Sequence, residues 1–186
     1  MTAAFSSHTR HEDLARLRTE TFDVLVVGAG ISGAATARHA ASRGLKVALV
    51  DQGDVAAGAS SASSKLVHGG LRYLPKLALG LVFESLRERA HWLTAAPHLV
   101  TPLPFYVPVH DGDGHGETTL RAGLLAYDLL SLGRTPHRHE HLDRDTLGEL
   151  LPDLETRGLR GGFRYWDAAM WDDALCVETV RNARTL

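Results

Sequence analysis

Three glycines and an acid carry the first chemistry legible in this chain. Gly28, Gly30 and Gly33 stand in G-x-G-x-x-G spacing, and Asp51 follows about twenty residues later. A glycine at the first position permits a tight turn. The second lets backbone approach a pyrophosphate with no side chain between, and the third lets a helix pack closely on a strand. Unpaired N–H groups at a helix start, with the helix dipole behind them, favour a diphosphate. A carboxylate at Asp51 accepts hydrogen bonds from an adenosine ribose. Together these residues read as a dinucleotide site, and the motif alone does not separate FAD from NAD.

A second group lies in LVHGGLRYLPK, residues 66–76. Gly69 and Gly70 let backbone pass close to something flat or bulky, and His68, Arg72 and Tyr73 cluster around them as donors. Between the two groups, residues 52–65 (QGDVAAGASSASSK) form a loop rich in Gly, Ala and Ser. It leaves the carboxyl end of a strand, where ligands sit in doubly wound folds. Its hydroxyls and backbone N–H groups are therefore expected to line the ligand.

The elements that must position these residues follow from the apolar pattern. Residues 24–27 form an unbroken apolar run of the kind a strand buried on both faces needs, and 47–50 form a second that ends on Asp51. Residues 31–43 read as an Ala-rich helix closed by Gly44 in the left-handed conformation. The order β–α–β is the one a dinucleotide fold requires. Residues 1–20 read as a flexible tail with a short helix around 13–18. Residues 77–95 predict an amphipathic helix, with Leu79, Val82, Phe83, Leu86, Ala90 and Leu93 inward and Glu84, Arg87, Glu88 and Arg89 outward. The Pro-punctuated stretch 99–110 predicts an edge strand. Residues 119–132 and 143–151 predict helices, 159–165 a strand, and the stretch from Trp166 a helix capped by Asp172 or Asp173.

Composition excludes several classes. A chain of 186 residues buries a real core and fits one domain or little more. A net charge of −2 with mixed signs leaves no basic footprint, so nucleic acid is not an expected partner. Cys176 is the single cysteine, which removes disulfides, thiolate metal sites and redox dithiols within one chain and fits a reducing compartment. No apolar run approaches the roughly 20 residues of a spanning helix, and the N-terminus is polar, unlike a secretory signal. The chain reads as cytoplasmic, with peripheral attachment to the inner face of the cell membrane left open. Residues 111–116 (DGDGHG) read as a turn, because a calcium loop counted from Asp111 would need Glu where Ala122 stands. His137, His139 and His141 alternate in a way that suits neither a helix face nor the usual ligand gap; a solvated loop and no metal are expected.

The segment SSASSKLVHGGLRYL, residues 60–74, after G-A-G-I-S-G resembles the signature of FAD-dependent glycerol-3-phosphate dehydrogenases. These are the quinone-linked branch of the D-amino-acid-oxidase-like flavoproteins. APHLVTPLPFYVP from Ala96, GLLAYDLL from Gly123 and GGFRYWDAAMWDDA from Gly161 match the same family in order. The resemblance implies an α/β fold: a Rossmann-like FAD-binding βαβ core, residues 22–75, with the start of an interleaved α+β substrate domain over 76–186. It implies that Gly28, Ala29, Gly30, Ile31, Ser32, Gly33, Asp51 and Gln52 hold the FAD pyrophosphate and ribose. Ser60, Ser61, Ser64, Lys65, Leu66, His68, Gly69 and Gly70 would run along the diphosphate and flavin ring, and Arg72 and Tyr73 would face glycerol phosphate. The implied reaction converts sn-glycerol 3-phosphate to dihydroxyacetone phosphate and passes electrons to a quinone. The family is several hundred residues long, so the fold is expected to be incomplete here, with the catalytic base beyond residue 186. Leu175 departs from the family, which places Arg there. Two other readings are a related flavin oxidase of amino acids or amines, whose substrate carboxylate would equally suit Arg72, and a non-catalytic nucleotide-binding remnant.

Overall fold

The computed structural model describes residues 6–114 and 116–186. In chain order the elements are α1 (Arg10–Thr19), β1 (Val24–Val27), α2 (Ile31–Ala41), β2 (Val47–Val50), β3 (Leu66–Val67) and α3 (Leu79–Ala95). They continue with β4 (Val100–His110), α4 (Glu117–Ser131), β5 (Glu140–Asp143), α5 (Arg144–Leu150), β6 (Leu159–Met170) and α6 (Asp172–Thr185). Short 3-10 turns lie at Ser7–Thr9 and Leu71–Lys76. The chain divides into two units. One holds the chain up to Lys65 together with Trp171–Leu186, the other Leu66–Met170. The boundaries of these units fall at 65/66 and 170/171.

In the first unit β1 and β2 pair in parallel, Val24 opposite Val47 through Val27 opposite Val50, with α2 as the crossover. The small residues of α2 decide its packing. Ala34 is wholly buried against Ala56, Cys176 and Val180, so α6 lies close along α2. Gly44 has φ +80°, as its place after the helix predicts. The expectation that β1 is buried on both faces does not hold. Its burial alternates, and Leu25 and Val27 are 63% and 78% exposed, because α2 covers one face of a two-stranded sheet. The helix near the N-terminus is longer than predicted and is tied in by an Arg184–Asp13 ion pair of 2.8 Å. Residues 1–5 of the predicted tail lie outside the described residues, as does His115 of the predicted turn.

In the second unit β6 is the central strand of an antiparallel sheet. β4 pairs along its whole length on one side, and β3 and β5 pair with its two ends on the other. That pairing keeps residues 166–170 extended where a helix was expected to begin. The prolines of β4 agree with its place at an edge. Pro102, Pro104 and Pro108 share one parity and stand opposite Ala168, Trp166 and Gly162. At these positions the strands exchange no hydrogen bonds, so the missing N–H groups fall on the open side. α3 and α4 pack on the sheet through Val82, Leu86 and Tyr127, with Leu74 of the 3-10 turn among them, beside Val109, Leu124 and Phe163.

The histidine stretch is a loop as far as His139, with His137 and Arg138 exposed, but it is not free of partners. His139 Nδ1 and its backbone N–H both meet Asp128 Oδ2 of α4, at 2.7 and 3.1 Å. His137 lies against the Trp166 ring at 4.5 Å, and β5 starts at Glu140. Of the three histidines only His141 lies within that strand. Among the described residues no group of His, Cys, Asp and Glu could hold a metal ion, and no helix is long and apolar enough to cross a membrane.

Candidate cofactor site

β1 delivers the chain into a turn that only glycine makes without strain: Gly28 has φ +106°, and α2 begins directly after Gly30. A Cβ built on Gly33 would overlap the Gly28 carbonyl oxygen and come within 3.3 Å of Val26 Cγ1. The third glycine therefore seats helix on strand, as its spacing predicts. A Cβ on Gly30 would lie 2.9 Å from Ser60 Oγ, and that hydroxyl accepts the Ile31 N–H at 2.9 Å. Ser60 reaches the helix start from far along the chain, so the Ser-rich loop does fold back on the glycine turn. Ser32 is exposed in the first turn of α2.

Asp51 ends β2 beside the same turn. Its Oδ2 accepts the Ala29 N–H at 2.6 Å and its Oδ1 accepts the Gly53 N–H at 2.8 Å. These backbone donors hold its carboxyl below the usual aspartate range. Cys176 closes the turn from behind, its Sγ–H donating to the Ala29 carbonyl at 3.4 Å. Gln52 is exposed, and Ser61 bonds back to the Gly58 carbonyl at 3.3 Å. A glycine turn into a helix start, a hydroxyl beside it and a braced carboxylate at the next strand end are donors and acceptors of the kind a dinucleotide needs. The residues present fit FAD.

The loop is anchored at its far end by a residue assigned above to a helix cap. Trp171, not Asp172, takes the N-cap position of α6, and no side chain caps it. Asp172 is buried. Its Oδ1 accepts Lys65 Nζ at 2.6 Å and its Oδ2 accepts Ser63 Oγ at 2.7 Å. Lys65 itself has φ +56°, and Ser64 beside it is exposed. Leu175, at the family's Arg position, is buried and faces the core.

Lys65 and Ser63 hold the Asp172 carboxyl far below its ordinary value of 3.8. A depressed folded-state pKa contributes stability above the unfolded value, lost as pH falls through the folded one. The unsubstituted protein is therefore expected to lose stability below about pH 4. Asp172→Asn should be less stable at neutral pH and lose less on acidification. Urea midpoints at pH 7 and pH 3 check this; parallel losses in the two proteins would contradict it.

The second group of predicted residues belongs to the other unit. Leu66 is half-buried in β3 and His68 is exposed, its ring centroid 6.4 Å from that of Tyr73. Arg72 lies over the Tyr73 ring at 4.8 Å and donates from Nη2 to the Tyr73 hydroxyl at 2.7 Å. Gly70 adopts φ +80°, which the turn into Leu71 requires. The close approach expected of the paired glycines is made by Gly69 within its own core. A Cβ there would overlap the Tyr127 hydroxyl and lie 2.5 Å from Leu86 Cδ2.

Beneath Gly69 sits a cluster that the sequence reading missed. Arg89, placed on the outer face of α3, is fully buried. Its Nη1 meets Asp167 Oδ1 at 2.5 Å and donates to the Trp166 carbonyl at 2.8 Å. The Tyr127 hydroxyl and the Gly69 N–H donate to the same carboxylate oxygen, each at 2.8 Å. Burial beside Asp167 pushes the Tyr127 hydroxyl well above the usual tyrosine range, and Tyr165 nearby is pushed up to about 12. A signal existed. Arg89 continues the spacing of Val82 and Leu86, and Asp167 shares the parity of Phe163. Each is a charge on an apolar stripe, and two opposite charges so placed are partners.

The FAD dependent oxidoreductase family matches residues 23–186, and the chain belongs to that family. The chain is 47% identical over 171 residues to a glycerol-3-phosphate dehydrogenase of Mycobacterium leprae, covering 91% of this chain and 28% of that protein. It is 43% identical over 169 residues to a glycerol-3-phosphate dehydrogenase of Synechocystis sp., covering 90% of this chain and 31% of the relative. The solved glycerol-3-phosphate dehydrogenase of Bacillus halodurans complexed with FAD matches with a TM-score of 0.69 and 27% identity, over 98% of this chain and 28% of that one. The chain thus spans less than a third of the length of these relatives.

Proposed function

We propose that the protein containing this sequence oxidises sn-glycerol 3-phosphate to dihydroxyacetone phosphate with FAD, and that electrons pass on to a quinone at the inner face of the cell membrane. The observation that carries the reading is the glycine turn with Asp51 braced against it by the Ala29 N–H, in a chain whose relatives bear that enzyme's name. Gly30, Ile31, Ser32 and Ser60 take the diphosphate, and Asp51 takes the ribose. FAD supplies the two-electron acceptor for the C2 carbinol. The segment from His68 to Gly70 orients it, and the Arg72 fork binds the substrate phosphate with Tyr73 beside it.

The test is the visible spectrum of the protein under anaerobic conditions. A flavin band that bleaches on adding sn-glycerol 3-phosphate supports the reading. A flavin that bleaches with dithionite but not with this substrate removes the substrate assignment, and protein purified without flavin removes the cofactor. Arg72→Ala is expected to raise KM for glycerol 3-phosphate about tenfold or more, since a hydrogen bond to a charged group is lost, while flavin content stays unchanged. Equal loss of flavin and of substrate affinity would show that Arg72 serves the cofactor instead.

A further inference from the structure

One edge of β6 has a gap. β5 pairs with Gly161–Arg164 and β3 with Ala168–Ala169, which leaves Trp166 between them. Opposite Trp166 on the other edge stands Pro104, which has no N–H, so the Trp166 carbonyl faces the gap. Arg89 fills it, and the same nitrogen holds Asp167. The carboxylate oxygen so fixed reaches the Gly69 N–H.

A charge pair this deep is weak evidence for stability, because an apolar pair of similar volume often serves as well. Arg89 is also imperfectly matched: its buried Nε and Nη2 meet no acceptor among the described residues. As packing the cluster is poor. As a fixed point it is good, since one oxygen held by an ion pair and a hydroxyl captures a single backbone N–H of the segment between β3 and α3.

We propose that Asp167 is a positioning residue: through the Gly69 N–H it sets the turn from His68 to Tyr73, and Arg89 and Tyr127 keep its carboxylate in place. The proposal rests on the reading that this turn meets flavin and substrate. Asp167 is 3% exposed and acts only through Gly69.

Two charge-free pairs test it in the intact protein. Arg89→Met with Asp167→Asn keeps an acceptor for Gly69, and Arg89→Met with Asp167→Leu does not. The readouts are exchange of the Gly69 amide, flavin dissociation, and KM against kcat for glycerol 3-phosphate. The Leu pair is expected to exchange Gly69 about tenfold faster and to raise KM or flavin dissociation by a similar factor, with the Asn pair restoring both. Equal values in the two pairs would overturn the proposal. Should neither pair fold, the unsubstituted protein decides, because a Gly69 amide exchanging as fast as an unstructured glycine overturns it too. If the unsubstituted protein carries no flavin or ignores glycerol 3-phosphate, the reading of function has failed. The exchange contrast then still decides whether Asp167 holds Gly69.

Discussion

Gly33→Ala is expected to disrupt the nucleotide unit more than any other single methyl group added to the glycine turn. The new carbon would overlap the Gly28 carbonyl oxygen and lie 3.0 Å from the Gly28 carbonyl carbon. Both are backbone, so nothing flexible can yield, and α2 must lift from β1. Forced overpacking of this kind costs about 3 kcal/mol or more, which lowers the melting temperature of a chain this size by roughly 6–12 °C. Gly28→Ala makes the contrast. Its Cβ direction is open within 4 Å, and the penalty there is the φ of +106° alone. Thermal melts by circular dichroism should order the variants as parent, Gly28→Ala, Gly33→Ala. A Gly33→Ala protein that melts with the parent would mean that helix and strand are not in contact as described.

The second large effect is expected at Arg89. Arg89→Met keeps most of the volume but leaves Asp167 buried without its cation, a loss of about 3–5 kcal/mol. It also uncovers the Trp166 carbonyl. Adding Asp167→Asn removes the stranded charge and should recover most of that loss. Urea unfolding of the single and double variants measures both steps. A single variant within about 0.5 kcal/mol of the parent would mean that the pair is solvated after all.

The nucleotide unit was legible because each of its features has a local cause. The apolar runs at 24–27 and 47–50, the glycine spacing and the place of Asp51 each demand one geometry, and the structure has it. The exposed side of β1 was not legible, since an apolar run says that a strand can be buried and not what covers it. Arg89 is buried against the expectation, because a charge on a helix by itself marks a solvent face. Its spacing from Val82 and Leu86 carried the better information, and the cost of burying it is met by a residue far along the chain. Asp172 followed the same pattern: an acid at a helix start reads as a local cap, whereas a distant lysine and serine claim it. The length of β6 depended on three partner strands, none of which is visible from its own residues. Long-range pairing was the common element in what the sequence withheld.

The prolines of β4 have a further effect. A strand docking on its outer side would need the N–H groups of alternate residues from Val100 to His110. Val100 already donates to the Ala96 carbonyl at 2.9 Å, and His110 donates to Asp113 at 2.7 Å. Pro102, Pro104 and Pro108 have nothing to give, so of this row Tyr106 alone offers an N–H. The edge is a poor template for growth. A neighbouring molecule would find a row of carbonyls with a single donor among them, and this edge is guarded against the edge-to-edge stacking through which exposed strands seed aggregates.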